Sequence, residues 1–481
     1  MSLEKKLVTG VKWTTSATLV KAVLQLCLLA IAARFLSAEE FGLYAIVQIT
    51  LGFCQLFMDM GIGNAIIHRQ DSKDKHLSEL FFINLFISLL LGLLVFVCSG
   101  WIAHFFAAPE VDELITFIAP SFVLAALFRI HLVVLQKELA FNLIAKIEIF
   151  AQVLGFMVAT CLLFSDYLVV SLIIGYLVNL LTQGMGYWLF SPFKLRLAFP
   201  TSIKELKAYL SFGLYQTGDA TVNYFNSQFD LILVGKLLGS EILGGYSLAR
   251  QFCFRPAMVI NPVLTRVAFP VMAKLQNSEK LPSIYCKLSA LLATINFPVY
   301  IALAIFAEPL VLVLFGEKWL HIVPLFQLMA IWCLIRSTMN PVGSLMMAIG
   351  KVKQLFSWNL SLLVFIPSII YLGSFYGVEG IATALILMQS LLLLAHWYIL
   401  LHKHGHISGR AFLLSLYLPL CFALLSGTIT YLASDFFTVA YEKLAVAMVV
   451  FSITYLLFSI KFNPLAKNLV KGRLTFSGII N

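Results

Sequence analysis

Charge is the scarcest feature of this sequence. Asp, Glu, Lys and Arg make up 12% of its 481 residues while 61% are hydrophobic; a soluble domain carries about a quarter charged residues. A water-facing surface cannot be built from so few, and a soluble globule is excluded. The eight cysteines show no CxxC spacing, and most (Cys27, Cys54, Cys98, Cys161, Cys333, Cys421) fall inside apolar runs. Neither a disulfide framework nor a zinc site is expected. No GxxxxGK[ST] loop occurs, since AIGKVKQ at 348–354 lacks both the upstream Gly and the Ser/Thr, so ATP hydrolysis is not expected. The GxG of MDMGIGNAI (58–66) follows a membrane helix rather than a strand, which argues against a dinucleotide site. HKHGH (402–406) reads as a solvated loop rather than a metal site. With no HExxH and no nucleophile elbow, no enzyme is expected, and no metal or organic cofactor. The net charge of +10 belongs to no compact basic module, so nucleic acid is not an expected partner.

What is present comes in apolar blocks of about 20 residues or more, the length a helix needs to cross the hydrocarbon. Backbone polar groups must pair internally there, so the spans are helices. The expectation is an all-α polytopic membrane protein with about 14 transmembrane helices. The seventh (206–234) and eighth (241–272) are the most polar. The N-terminal MSLEKKLVTGVKW has no small-residue cleavage site after it and is expected to lead into a retained first span. Of the 33 Lys and Arg, 22 fall in one set of alternate loops; the other set holds only Arg34, Lys236, Lys318 and Lys443. By the positive-inside rule both termini are cytoplasmic.

Two stretches repeat. FLSAEEFGLYAI (35–46) and LLGSEILGGYSL (237–248) match Leu36 to Leu238, Glu39 to Glu241, Gly42 to Gly244 and Tyr44 to Tyr246 at a constant offset of 202. Six spans separate the copies, an even number, so the repeat is parallel. The expected organisation is a six-helix lobe over 1–200, a second over 201–402, and an appended pair, helices 13 and 14, with a cytoplasmic tail over 403–481. Two such lobes facing each other would enclose a cavity.

Polar residues fall on helical faces. Helix 1 carries Thr14, Thr18, Lys21 and Gln25 at steps of 4, 3 and 4, and helix 7 repeats the stepping with Asp219, Asn223, Asn226 and Asp230. The offset sets Lys21 against Asn223 and Gln48 against Arg250. Helix 2 adds Tyr44, Gln48, Gln55 and Asp59; helix 8 adds Tyr246, Arg250, Arg255, Asn261 and Arg266. Lys21, Asp219, Arg250, Arg255 and Arg336 lie deep, and each deep charge costs about 2.5–3.5 kcal/mol to insert. The expected anion or sugar cavity is therefore Lys21, Gln25, Gln48, Asn223, Asn226, Arg250, Arg255 and Arg336, whose guanidinium forks suit phosphate oxygens. Asp59, Asp219 and Asp230 either take a coupling cation or proton or serve as counter-ions. Arg129, Lys146 and Arg266 lie toward cytoplasmic ends, where they either snorkel to the headgroups or line an entrance.

The segments ARFLSAEEFGLYA, DMGIGNAIIHR, QKELAF, FDLILVGKLLGSEILGGYSLA, FPVMAKLQ, FAEPLVLVLFGEKW and GSLMMAIGK resemble the flippases of the multidrug/oligosaccharidyl-lipid/polysaccharide exporter superfamily. They are most similar to the Wzx-type subgroup of colanic acid and lipopolysaccharide repeat-unit exporters. The likeness implies translocation of undecaprenyl-pyrophosphate-linked oligosaccharide across the bacterial cytoplasmic (inner) membrane by alternating access, with H+ or Na+ coupling open. It also implies a lipid-linked oligosaccharide partner and a pathway shared with a polymerase and glycosyltransferases. Lys21 is the only deep cation of helix 1, where cavities of the family are arginine-rich. The alternatives are a cation-coupled multidrug antiporter of the same superfamily, which the deep cations disfavour, and a lipid II flippase, which the missing arginines of helix 1 disfavour. A non-transporting scaffold would have no use for paired polar stripes.

Overall fold

Apolar blocks broken only by Gly, Pro and short polar turns close their backbone hydrogen bonds within each block. Every regular element among the described residues is accordingly helical. The structure, a computed structural model, describes residues 3–59, 63, 66, 74–195, 203–463 and 467. Twelve helical stretches among them are long and apolar enough to cross a bilayer, and the chain is a multi-pass membrane protein. The seventh and eighth expected spans form helices of 36 and 35 residues, α8 (Ile203–Leu238) and α9 (Ser240–Lys274). Neither is among the twelve stretches that reach that apolar standard in the described residues.

The chain divides into two units, Met1–Ser247 and Leu248–Asn481, with the boundary inside the second sequence copy (237–248), between its last two residues. The first unit contains α1 (Leu3–Phe35), α2 (Ala38–Asp59), α3 (Asp74–Phe106), α4 (Glu110–Ile118), α5 (Pro120–Lys137), α6 (Phe141–Leu163), α7 (Leu168–Phe190), α8 and the first turns of α9. The stretch 110–137 is two helices because Pro120, which lacks an N–H, opens α5. Small residues let these helices approach closely, as packing in lipid favours. A Cβ on Gly155 of α6 would stand 2.7 Å from the carbonyl oxygen of Gly175 on α7, a gap that no larger residue fits.

The second unit holds most of α9, then α10 (Leu281–Ile305), α11 (Ala307–Leu314), α12 (Val323–Ser337), α13 (Pro341–Ala348), α14 (Val352–Ser374), α15 (Gly377–His396), α16 (Gly409–Ser434) and α17 (Ala440–Phe462). Its core joins Tyr285 and Phe297 of α10 to Phe412 and Phe422 of α16 and to Phe451 and Tyr455 of α17. Pro298 lies inside α10 and has no N–H to give the carbonyl of Thr294, four residues earlier. The hydroxyl of Tyr455 donates to that carbonyl at 2.7 Å instead, and Asn463 Nδ2 donates to Thr294 Oγ1 at 3.2 Å. The appended helices thereby complete the hydrogen bonding of α10. By contrast α14 is largely unburied, and Val364, Phe365 and Leu372 are exposed as a lipid-facing surface requires.

Candidate functional site

Two polar sites form, one inside each unit. On α1 the hydroxyls of Thr14 and Thr18 donate to the carbonyls of Gly10 and Thr14, each at 2.9 Å, so both are satisfied within their own helix. Lys21 reaches across to α6, and its Nζ lies 2.7 Å from Glu148 Oε2 in a partly buried ion pair. Glu148 Oε1 accepts from the Tyr187 hydroxyl at 3.4 Å, and the same hydroxyl lies 3.4 Å from Gln183 Oε1. Gln183 Nε2 then donates to Asn179 Oδ1 at 2.7 Å, and Asn179 Nδ2 to Gln152 Oε1 at 3.3 Å.

Sequence reasoning missed this network, although its signal is present. Glu148 and Gln152 are four apart on α6, and Asn179, Gln183 and Tyr187 are four apart on α7, so each set faces one way.

Beside the network lies a cavity of about 360 Å³ within the first unit. Gln55 of α2, Asn84 of α3, Arg129 of α5 and Tyr176, Gln183 and Tyr187 of α7 supply its polar lining. Gln55 Nε2 donates to the Tyr176 hydroxyl at 3.4 Å. Arg129, expected at an entrance, therefore borders this cavity. Lys146, its expected companion, stands over the Trp13 ring at 5.2 Å from the centroid, a cation–π contact. Gln48 Nε2 donates to the Tyr44 hydroxyl of its own helix at 2.6 Å. Asn223 is exposed and Asn226 and Gln25 are half-buried. Asp230 is buried and accepts from the fully buried Tyr246 hydroxyl at 3.0 Å. The side chains of Asp59, Asp219 and Arg266 lie outside the described residues.

The second unit gathers two of the expected cations. Arg250 of α9 is buried, and its guanidinium carbon lies 4.6 Å from the Phe254 ring centroid. Arg336 of α12 lies 5.1 Å from the same ring and 5.4 Å from that of Trp332. Phe254 and Trp332 meet edge to face at 5.3 Å. The aromatic faces offset part of the cost of taking these cations out of water. Arg255, one residue beyond Phe254, is half-buried. Further along α9, Asn261 Oδ1 accepts from Asn296 Nδ2 of α10 at 2.9 Å. Among the described residues no group of three or more His, Cys, Asp or Glu is placed to hold a metal ion. In the HKHGH segment, His402 stacks on Tyr398 with centroids 6.2 Å apart.

The family model described as polysaccharide biosynthesis protein matches residues 31–324. The lipopolysaccharide biosynthesis protein WzxC of Escherichia coli is 32% identical over 90% of this chain and 88% of its own. The teichuronic acid biosynthesis protein TuaB of Bacillus subtilis is 30% identical over 98% of this chain and 100% of its own. Among solved structures, the inward closed lipid II flippase MurJ superposes with a TM-score of 0.78 at 17% identity, covering 96% of this chain and 100% of that one. That likeness shows the fold. The Wzx-type resemblance is borne out: the chain belongs to the polysaccharide biosynthesis protein family.

Proposed function

We propose that this chain flips lipid-linked oligosaccharide repeat units from the inner to the outer leaflet of a bacterial cytoplasmic membrane, for assembly of a surface polysaccharide. The observation that carries the reading is the gathering of Arg250 and Arg336 on one ring, Phe254. Arg250 is buried and Arg336 half-buried, so their charge acts in a setting poor in water, and guanidinium forks match the oxygens of a pyrophosphate. Arg255 adds a third cation from α9, and the prenyl tail of such a substrate stays in lipid. No bond is made or broken, so the chain acts as a transporter and not as an enzyme.

The names of the relatives, which refer to lipopolysaccharide and teichuronic acid biosynthesis, support the substrate class. The duplicated organisation (1–200, 201–402 and the appended 403–481) fits alternating access, and the loop charges favour cytoplasmic termini. Coupling to H+ or Na+ would fall to Asp59, Asp219 or Asp230. Deleting the gene and assaying lipid-linked intermediates by leaflet tests the reading. Finished repeat units should accumulate on the cytoplasmic face. Unaltered glycolipid with altered dye efflux would instead identify a drug antiporter.

A further inference from the structure

The cavity inside the first unit has no place in that reading, which puts the pyrophosphate on the arginines of the second. Its volume of about 360 Å³ is near the lower end for small-ligand sites, about 300–1,000 Å³. Most polar groups of its wall are already engaged. Gln55 donates to Tyr176, Gln183 donates to Asn179 and lies against the Tyr187 hydroxyl, and Arg129 has an interaction of its own within the protein. Asn84 differs. It is 2% exposed, and among the described residues neither its amide nitrogen nor its amide oxygen has a hydrogen-bond partner. A buried amide left so is costly, and native structures seldom leave one unaccounted for.

Two serines share this condition. Ser88, one turn further along α3, and Ser121, at the start of α5, are 0% and 1% exposed, and neither hydroxyl has a partner among the described residues. Hydroxyls inside helices can donate to a carbonyl of their own helix, as those of Thr50, Ser99 and Thr221 do here. Spacing and packing place the two serines. Asn84, Ser88 and Gly92 are four apart and share a face of α3. A Cβ on Gly92 would stand 3.4 Å from the Ala119 carbonyl oxygen, so that face is turned to the start of α5. Ser121 leads the row Ala125, Phe128 and Leu132 on α5, at steps of 4, 3 and 4, and those three line the cavity. The unpartnered groups therefore continue its walls on both helices.

The open groups have one chemistry. All three residues are neutral, and each can both donate and accept. A carboxamide open at both ends matches two neighbouring hydroxyls, one donating to its oxygen and one accepting from its nitrogen. An apolar ligand would leave all three residues unpaired. A charged ligand would shed its water against a wall whose one cation is engaged and which has no carboxylate. A neutral polyhydroxylated ring meets both conditions, and the rings of Phe128 and Tyr176 supply flat surface for its C–H face.

We infer that the first unit carries a subsite for an uncharged sugar residue, held by Asn84 with Ser88 and Ser121 and separate from the arginine pair of the second unit. This subsite rests on the reading of the chain as a saccharide carrier and adds which part of the cargo the cavity accepts.

Saturation-transfer NMR of the purified full-length chain in detergent tests it, by titration with D-glucose, D-galactose and N-acetyl-D-glucosamine, and with D-glucuronate as the charged counterpart. At least one neutral sugar should bind saturably and more tightly than D-glucuronate. Asn84→Leu, close in size, should weaken that sugar at least about tenfold, and Ser88→Ala combined with Ser121→Ala at least about threefold. A group kept for binding at a cost to stability has a second signature. Without sugar, Asn84→Leu should raise the thermal unfolding temperature, because it replaces an unpaired buried amide with an apolar side chain. An amide completed by bound water alone would give the reverse, a lower unfolding temperature with no sugar bound, and would overturn the inference. So would tighter binding of D-glucuronate, no saturable binding of any neutral sugar, or wild-type affinity in Asn84→Leu. The wild-type titrations need no variant to fold. NMR requires no transport and the leaflet assay requires no free sugar, so the two can fail separately. No sugar binding by a chain that passes the leaflet assay overturns the subsite alone. Binding that follows Asn84 upholds the subsite whatever the leaflet assay gives.

Discussion

Gly42 of α2 and Gly244 of α9 touch through reciprocal contacts. A Cβ on Gly42 would overlap the carbonyl oxygen of Ser240, and a Cβ on Gly244 would overlap that of Ala38. Ala38 and Ser240 are themselves 202 apart, as are the two glycines. The repeated motif therefore meets its own copy, and the local contact has the twofold relation of the sequence repeat. Each copy keeps its glycine because the other copy's backbone occupies the space of a side chain.

A side chain at either position cannot escape by rotamer change, since what it meets is backbone. We expect Gly42→Ala and Gly244→Ala each to lower stability by about 1–3 kcal/mol. Gly218, with open space where its Cβ would be, is the control, and Gly218→Ala should be neutral or mildly stabilising. Thermal unfolding of the detergent-solubilised protein measures all three; equal effects would refute the close-contact account.

The Lys21–Glu148 pair, 2.7 Å apart and 30% and 24% exposed, predicts a non-additive pair of substitutions. Lys21→Met leaves a carboxylate without its cation and Glu148→Gln the reverse. The double variant should be less destabilised than the sum of the singles, with a coupling of about 1–2 kcal/mol once partial solvent screening is allowed for. Additive losses in a thermal double-mutant cycle would show that the pair contributes no coupling.

Tyr455 supplies the hydrogen that Pro298 withholds from the Thr294 carbonyl. Tyr455→Phe should therefore cost about 1–3 kcal/mol. Pro298→Ala restores an N–H four residues after Thr294, so Tyr455→Phe should cost measurably less in that background. An undiminished cost would mean that the hydroxyl acts otherwise than as a substitute donor.

For transport, Arg250→Ala and Arg336→Ala should each abolish surface polysaccharide display at unchanged protein level. Arg250→Lys should restore it only in part, because an ammonium keeps the charge but loses the planar fork and the stacking on Phe254. Normal display by both alanine variants, scored by radiolabelled surface polysaccharide, would remove the arginine pair from the proposed function.

Much of this was legible without coordinates. A helix must place residues three and four apart on one face, so the stripe from Thr14 to Gln25 and the overlooked stripes of Glu148 with Gln152 and of Asn179 with Gln183 and Tyr187 are properties of spacing alone. The Gly42–Gly244 offset was equally plain, though not that the two would meet. Periodicity names a face but not its partner. Lys21 had no visible claim on Glu148, 127 residues away, and Arg250 none on the ring that Arg336 shares.

By itself the sequence determined a multi-pass helical membrane protein with an internal repeat and a set of polar faces. Hydrocarbon admits few backbone solutions, and charge is too expensive there to be scattered at random. Only the tertiary structure decided which faces meet. Helix rotation and depth follow from close approaches such as Gly155 against Gly175, where backbones settle against each other by shape. From that packing come the unpartnered Asn84 beside Arg129, the two arginines on Phe254, and the hydroxyl of Tyr455 at the carbonyl that Pro298 cannot serve.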